Sequence, residues 1–309
     1  MAIEKKVFIN QFGISTKNAI YQIPNAVRTL ATTDPTQCLL DLDIKGAFNN
    51  VSRQRVFEAA MSLGDAALIH YVNLLYTVPT SIVSRTDFKF QVTSGVLQGD
   101  AVSSLLFCLA INPTLLRAKQ VLKDGFSFGF HDDIKLAGHA PQLLDTYNLL
   151  RSDLAEIQLH FNHDKCKVYP FSDQASTAGL SDLFPVVNEG LNVLGTPIGS
   201  PLFESNFAIE RANKTIDKLA AIQKIPSIQL QYHLVRFCIC TRLHHLARTV
   251  PPQHLQQAAN IHSKAIQTFV HEVLVNPNDV LPLAQITQAQ FQAAVAQFTL
   301  PVCCSGLGL

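Results

Sequence analysis

The sequence lacks an excess of charge of either sign. Its 24 Lys and Arg stand against 23 Asp and Glu, a formal net charge of +1. A chain that grips nucleic acid normally carries a larger basic excess, because phosphate neutralisation dominates such affinity. The balance therefore neither demands nor excludes a nucleic-acid partner. No apolar run approaches the ~18 residues of a membrane-spanning helix, so no membrane partner is expected. Met1 to Asn10 carries Lys5 and Lys6 with no long apolar stretch behind them and does not read as a secretory signal. Seven cysteines is an odd number, scattered as Cys38, Cys108, Cys166, Cys238, Cys240, Cys303 and Cys304. A disulfide framework is not expected in so long a chain, which points to a reducing, intracellular compartment. Few aromatics interleave with basic residues, so no stacking platform for single strands is evident. Repeats and low-complexity segments are absent as well.

What is present is apolar residue in quantity. At 48% hydrophobic and 15% charged, the chain is too apolar for disorder and long enough for one large domain or two small ones. Gln37 to Ile44 reads as a strand, with Leu40, Leu42 and Ile44 on one face and Asp41 and Asp43 on the other. Ser52 opens a helix through Ser62, and Ser81 to Val92 alternates like a hairpin. Asp100 is placed to cap a helix from Ala101 to about Leu122, kinked or interrupted at Pro113. Phe126, Phe128 and Phe130 alternate on a strand, Asp132-Asp133 forms a turn, and Ile134 to Ala137 returns. A further helix is expected from Ala140 to Gln158. From Asn206 to Gln297 the pattern is helical, broken at Pro226, Pro251-Pro252, Pro277 and Pro282. Mixed elements followed by helices predict an α+β fold, with one domain over 1–200 and a helical one over 201–309.

Three features carry chemistry: Asp41 and Asp43 at a strand end, Asp132-Asp133 at a hairpin tip, and the glycine-bracketed loop Ser94 to Asp100. Carboxylates ~5 Å apart repel by a few kcal/mol at an effective dielectric of ~20. A divalent cation removes that penalty. Carboxylates on neighbouring strands can hold two Mg²⁺ ions ~3.5–4 Å apart, a spacing suited to in-line phosphoryl transfer. Taken singly, each feature has an ordinary reading: turn chemistry for Asp132-Asp133, a loop leading into a helix cap for Ser94 to Asp100.

In order along the chain, these segments resemble the successive motifs of a reverse transcriptase of non-LTR retrotransposon type. Leu40-Asp41-Leu42-Asp43-Ile44-Lys45-Gly46-Ala47-Phe48 resembles the first palm motif, in which a metal-binding Asp precedes an aromatic by five positions. The match implies a catalytic Asp43, an accessory Asp41, and Phe48 as the residue that rejects a 2′-hydroxyl. Ser94 to Asp100 resembles the second motif, with Gln98 and Gly99 at the nucleotide pocket; Ala101 and Ser104 stand where prolines are usual. Phe130-His131-Asp132-Asp133 resembles the aromatic-x-Asp-Asp hairpin. That implies Asp132 as the second metal ligand and Asp133 as a supporting one. Leu159 to Lys167 resembles the fourth motif, whose Lys matches Lys165; a solvated loop Lys is an equal reading there. Leu194 to Gly199 resembles the primer-gripping hairpin. More weakly, Gln11-Phe12-Gly13 looks like a segment before the palm, Gln229 to Arg248 with Pro251-Pro252 like the thumb, and Leu300 to Leu309 like the segment after the thumb.

The resemblance implies a right-hand polymerase palm with partial fingers, followed by a helical thumb. It implies RNA-directed DNA polymerase activity with two Mg²⁺ ions (Mn²⁺ as a substitute), an RNA or DNA template with a primer, and deoxynucleoside triphosphates. A nuclear setting is implied if the chain acts as non-LTR elements do. Before Asp43 only Lys5, Lys6, Lys17 and Arg28 are basic, so most of the basic fingers are expected to be missing and activity in isolation to be weak or absent. Two other readings stand beside this: an inactive retroelement relic that binds nucleic acid or protein, and a metal-dependent nucleotide-sugar transferase using Asp41 and Asp43. Cys238, Cys240, His244 and His245 invite zinc, but the spacing suits a buried helix better.

Overall fold

The computed structural model describes Gln11, residues 17–83 and residues 89–274. Expectations that fall on Phe12-Gly13, on 84–88, on Pro277, Pro282 and Cys303-Cys304, or on 300–309 lie outside the described residues. The chain divides into two compact units between Asn188 and Glu189.

In the first unit, helix α1 (Ala19–Thr33) leads into strand β1 (Cys38–Asp43). Helices α2 (Ala47–Asn50), α3 (Arg53–Leu63) and α4 (Ala66–Tyr76) come next, then the hairpin β2 (Thr80–Val83) and β3 (Lys89–Val92). The long helix α5 (Ser103–Val121), strands β4 (Phe126–Phe130) and β5 (Asp133–Gly138), helix α6 (Ala140–Glu156) and strand β6 (Lys167–Pro170) complete it. Ser52 caps α3 by accepting from the Arg55 N–H, and Asp65 caps α4 by accepting from Leu68 N–H at 2.9 Å. Gly64, at φ 69°, turns the chain between them.

The sheet has the order β4-β5-β1-β6 with every pair antiparallel. Strand alternation divides it into two chemically distinct faces. Leu40, Leu42, Ile134, Leu136 and Val168 are all fully buried and join α5 and α6 in one core through Phe107, Ile111, Leu115, Tyr147 and Leu150. Burying such a side chain contributes roughly 1.5–3 kcal/mol, so this face fixes the register. The opposite face of β1 and β5 carries Asp41, Asp43, Asp133 and Lys135.

Three local details differ from the sequence expectations. Helix α5 begins at Ser103 rather than Ala101, because the Asp100 carboxylate is engaged by two tyrosines as well as by Val102 N–H. It runs through Pro113 without a break. The ring removes one hydrogen bond, but Leu106 to Asn112, Thr114 and Leu115 are all buried, and that packing outweighs the loss. At the hairpin tip, His131 and Asp132 form the turn while Asp133 is already the first residue of β5.

The second unit opens with the hairpin β7 (Gly190–Val193) and β8 (Thr196–Gly199). Its turn residues Leu194 and Gly195 have φ values of 50° and 82°, the left-handed pair of a tight hairpin turn. Helices α7 (Pro201–Gln223), α8 (Ile228–Leu234), α9 (His244–Thr249) and α10 (Pro252–Leu274) complete this unit, with a π turn at Val235–Ile239. Thr196 ties the hairpin to α9 through His245 Nε2 at 2.9 Å and Thr249 Oγ1 at 3.0 Å. Buried Glu204 on α7 meets His254 Nδ1 on α10 at 2.6 Å. Cys238 is exposed in the π turn, Cys240 comes just after it, half-buried, and His245 is engaged by Thr196. Among the described residues no helix is long and apolar enough to cross a membrane.

Candidate active site

The β1–β5 register places Asp43 directly opposite Asp133 and Asp41 directly opposite Lys135. Since residues two apart on a strand share a face, all four side chains lie on the side of the sheet away from the core. On the other flank of β1, Lys167 of β6 is opposite Asp41. Three carboxylates from two strands thus form one row, with lysines set between them.

Each carboxylate has a different partner. The Lys135 ammonium lies 2.7 Å from Asp133 Oδ1 and also binds Asp41 Oδ1, with its side chain only 5% exposed. Burial works to discharge this lysine, but Asp41 and Asp133 outweigh burial and raise its pKa. Asp43, 33% exposed, has the 66% exposed Lys165 at 3.5 Å from Oδ2. That contact is arranged by the backbone: Asn162 N–H donates to Asp43 O at 2.8 Å, and the turn from Asn162 to Lys165 then carries Lys165 over the strand end. An exposed pair of this kind is worth little to stability, about 0–1 kcal/mol, so Lys165 is free to serve another anion.

Asp132 sits in the turn, on the side of buried Cys108 of α5. Burial, and then the Asp132 charge, push the Cys108 thiol up. His131 has φ 57° and places Nδ1 3.4 Å from Cys108 Sγ. Burial lowers the His131 pKa against the pull of Asp132. Gln11, itself buried, holds the same turn: its Oε1 accepts from His131 N–H at 2.8 Å and its Nε2 donates to His131 O at 3.2 Å.

The loop Ser94 to Asp100 is built around Phe48. Gly95 N–H donates to Val51 O at 2.8 Å and Val96 N–H to Phe48 O at 2.7 Å. Gly95 has φ 75°, and a Cβ there would lie 2.4 Å from Asn49 O and 2.5 Å from Phe48 O. Only glycine allows this approach. The Phe48 ring stacks on Phe107 with centroids 4.8 Å apart. Arg53 Nε donates to Gly95 O at 3.1 Å, and its other nitrogens reach Val78 O and Thr80 Oγ1. Gln98 and Gly99 are exposed at the loop crest, with Gly99 at φ 90° and open space around it.

Asp100 closes the loop. It receives Tyr71 Oη at 2.5 Å, Tyr76 Oη at 3.1 Å and Val102 N–H at 3.1 Å, and Ser103 Oγ lies 3.0 Å away. Burial would raise its pKa, but these hydrogen bonds outweigh burial and lower it.

Asp43 and Asp133 therefore face each other, Phe48 is fixed beside the loop of Gln98 and Gly99, Lys165 reaches Asp43, and Asp132 occupies the adjoining turn. Lys135, Arg53, Tyr71 and Tyr76 carry no motif and do not stand out in the sequence. For Lys135 a signal is present: a charged residue two positions after Asp133, between apolar neighbours, must share its face. Among the described residues no three His, Cys, Asp or Glu side chains form a ready metal cage. The donor chemistry nevertheless fits a hard cation, since Asp43, Asp132 and Asp133 offer only carboxylate oxygens and Asp43 and Asp133 are about a third exposed.

Among protein families, the model described as reverse transcriptase (RNA-dependent DNA polymerase) matches residues 2–198. No curated protein matches the chain. Among solved structures, apo telomerase from Candida tropicalis is similar at 11% identity and a TM-score of 0.49, over 86% of this chain and 47% of that one. Telomerase from Candida tropicalis in complex with a fragment of telomeric RNA is similar at 10% identity and a TM-score of 0.47, over 97% and 55%. The corresponding Candida albicans complex gives 11% identity and a TM-score of 0.46, over 85% and 51%. The chain spans about half the length of these structures.

Proposed function

As the chain belongs to the reverse transcriptase family, we propose that it catalyses template-directed addition of deoxynucleotides to a primer, with an RNA or DNA template, in the manner of non-LTR retrotransposon enzymes. The single observation that carries this reading is the direct opposition of Asp43 and Asp133 across β1 and β5. In this reading residues 1–200 are partial fingers and palm, residues 201–309 are the thumb, and the setting is intracellular and nuclear.

Asp43 and Asp132, with Asp133 in support, would hold the divalent cations, Mg²⁺ or Mn²⁺. Bound there, two such ions supply electrostatic stabilisation of the attacking and departing oxygens. The protein's own residues supply position. Phe48, braced by Phe107 and by the loop at Gly95, presents a flat wall against the sugar and excludes a 2′-hydroxyl. Gln98 and Gly99 form the exposed crest against which the nascent pair rests. Lys165 exchanges Asp43 for a phosphate oxygen of the incoming triphosphate, where its proton can pass to the departing pyrophosphate. The hybrid duplex would be held through its backbone and minor groove rather than by base readout.

The test is extension of an oligo(dT) primer on poly(rA) by the full chain with Mg²⁺ and dTTP. Extension by the wild type, reduced about a hundredfold or more in Asp43→Asn, supports the reading. A folded wild type that leaves the primer unextended removes it. A binding-only role is then favoured by the hold of Lys135 on Asp133.

A further inference from the structure

Lys135 stands at the centre of the acidic row, and neither the fold nor the proposed reaction requires a lysine there. It lies mid-strand between Ile134 and Leu136, both fully buried, with buried Phe128 opposite it on β4 and Asp41 opposite it on β1. Removing an ammonium from water costs several kcal/mol unless it is well paired, and an apolar side chain of similar volume serves packing as well or better. The ammonium is buried here at a cost, and its two partners are the carboxylates that flank the proposed cation site.

We propose that Lys135 is a built-in cation and a positioning residue: latched by Asp41, it occupies one oxygen of Asp133 and so limits how tightly the site takes a divalent ion. The inference rests on the cation site of the proposed function. Lys135 offsets part of the negative charge that Asp41, Asp43 and Asp133 bring to this face, and unlike the exposed Lys165 it is buried and held by two carboxylates at once, so a divalent ion does not readily displace it. Asp43, whose ion pair is with exposed Lys165, is the carboxylate most available to that ion. Asp41 acts through Lys135 rather than on the ion.

The experiment is Mn²⁺ binding to the full chain, monitored by the electron paramagnetic resonance signal of free Mn²⁺, with no nucleotide present. Lys135→Met removes a like charge beside the ion and frees Asp133, and is expected to bind Mn²⁺ about tenfold tighter or more than the wild type. A buried carboxylate left unpaired endangers folding, so the double variant Asp41→Leu with Lys135→Met is the companion. It replaces the ion pair with apolar contact, leaves Asp133 free and is expected to show the same tightening. A Mn²⁺ affinity equal to or weaker than wild type in the folded variants overturns the inference. Asp43→Asn in the same assay judges the parent reading separately. If it leaves wild-type Mn²⁺ binding unchanged, Asp43 is not a ligand, whichever way the Lys135 comparison falls.

Discussion

The side-chain amide of Gln11 brackets the peptide of His131, accepting from its N–H at 2.8 Å and donating to its carbonyl at 3.2 Å. The two residues are 120 positions apart, and the bracket fixes the turn that carries Asp132 into Asp133. Gln11→Ala leaves two backbone groups of a left-handed residue without these partners. A loss of about 1–3 kcal/mol is expected, read as a lower thermal midpoint, together with slower primer extension. Gln11→Glu keeps the acceptor but sets a carboxylate oxygen against the His131 carbonyl, so it should not restore the midpoint. An unchanged midpoint in both variants would show that the turn holds without Gln11.

Gly95 is the point at which the second motif touches the first. With φ 75° and backbone oxygens of Phe48 and Asn49 within 2.5 Å of any Cβ, Gly95→Ala must push the loop off α2. The left-handed conformation alone costs about 1–2 kcal/mol for a residue with a Cβ, and the clash adds to it. Urea denaturation should show a lower midpoint. The freed Phe48 should also discriminate less well between dTTP and UTP in extension assays. A midpoint and discrimination equal to wild type would contradict the packing described.

Tyr71 gives the cluster around Asp100 an alkaline signature. Its hydrogen bond to Asp100, then burial, raise its pKa from 10.0 to about 12. A phenol whose folded pKa lies above its unfolded value adds stability in full below pH 10.0, and that contribution disappears as pH rises toward about 12. Ultraviolet titration of tyrosinate should therefore show a late-ionising phenol that is absent in Tyr71→Phe. The variant should also lose less stability than wild type across that window. If Tyr71→Phe instead removes a phenol ionising near pH 10.0, the contact with Asp100 is not made in solution.

Much of this site was legible in the sequence because strand alternation is local. Leu40 and Leu42 against Asp41 and Asp43 fix which face of β1 is buried, and the order of the motifs names Asp43, Phe48 and the Asp132-Asp133 tip. What escaped depends on register between distant segments. Lys135 meets Asp41 only because β5 lies beside β1, 94 residues away. Asp100 reads as a helix cap until α4 brings Tyr71 and Tyr76 to its carboxylate, and the helix then starts at Ser103. Pro113 reads as a break because local rules contain no term for a helix buried on most sides.

The central claim, that Asp43 and Asp133 act as one unit across β1 and β5, is tested most directly by a double-mutant cycle on the rate of primer extension. Asp43→Asn and Asp133→Asn should each slow extension, and the double variant should be little slower than the worse of the two, because residues serving one site lose their effect together. Losses that multiply in the double variant, or extension at the wild-type rate in Asp43→Asn, would contradict it.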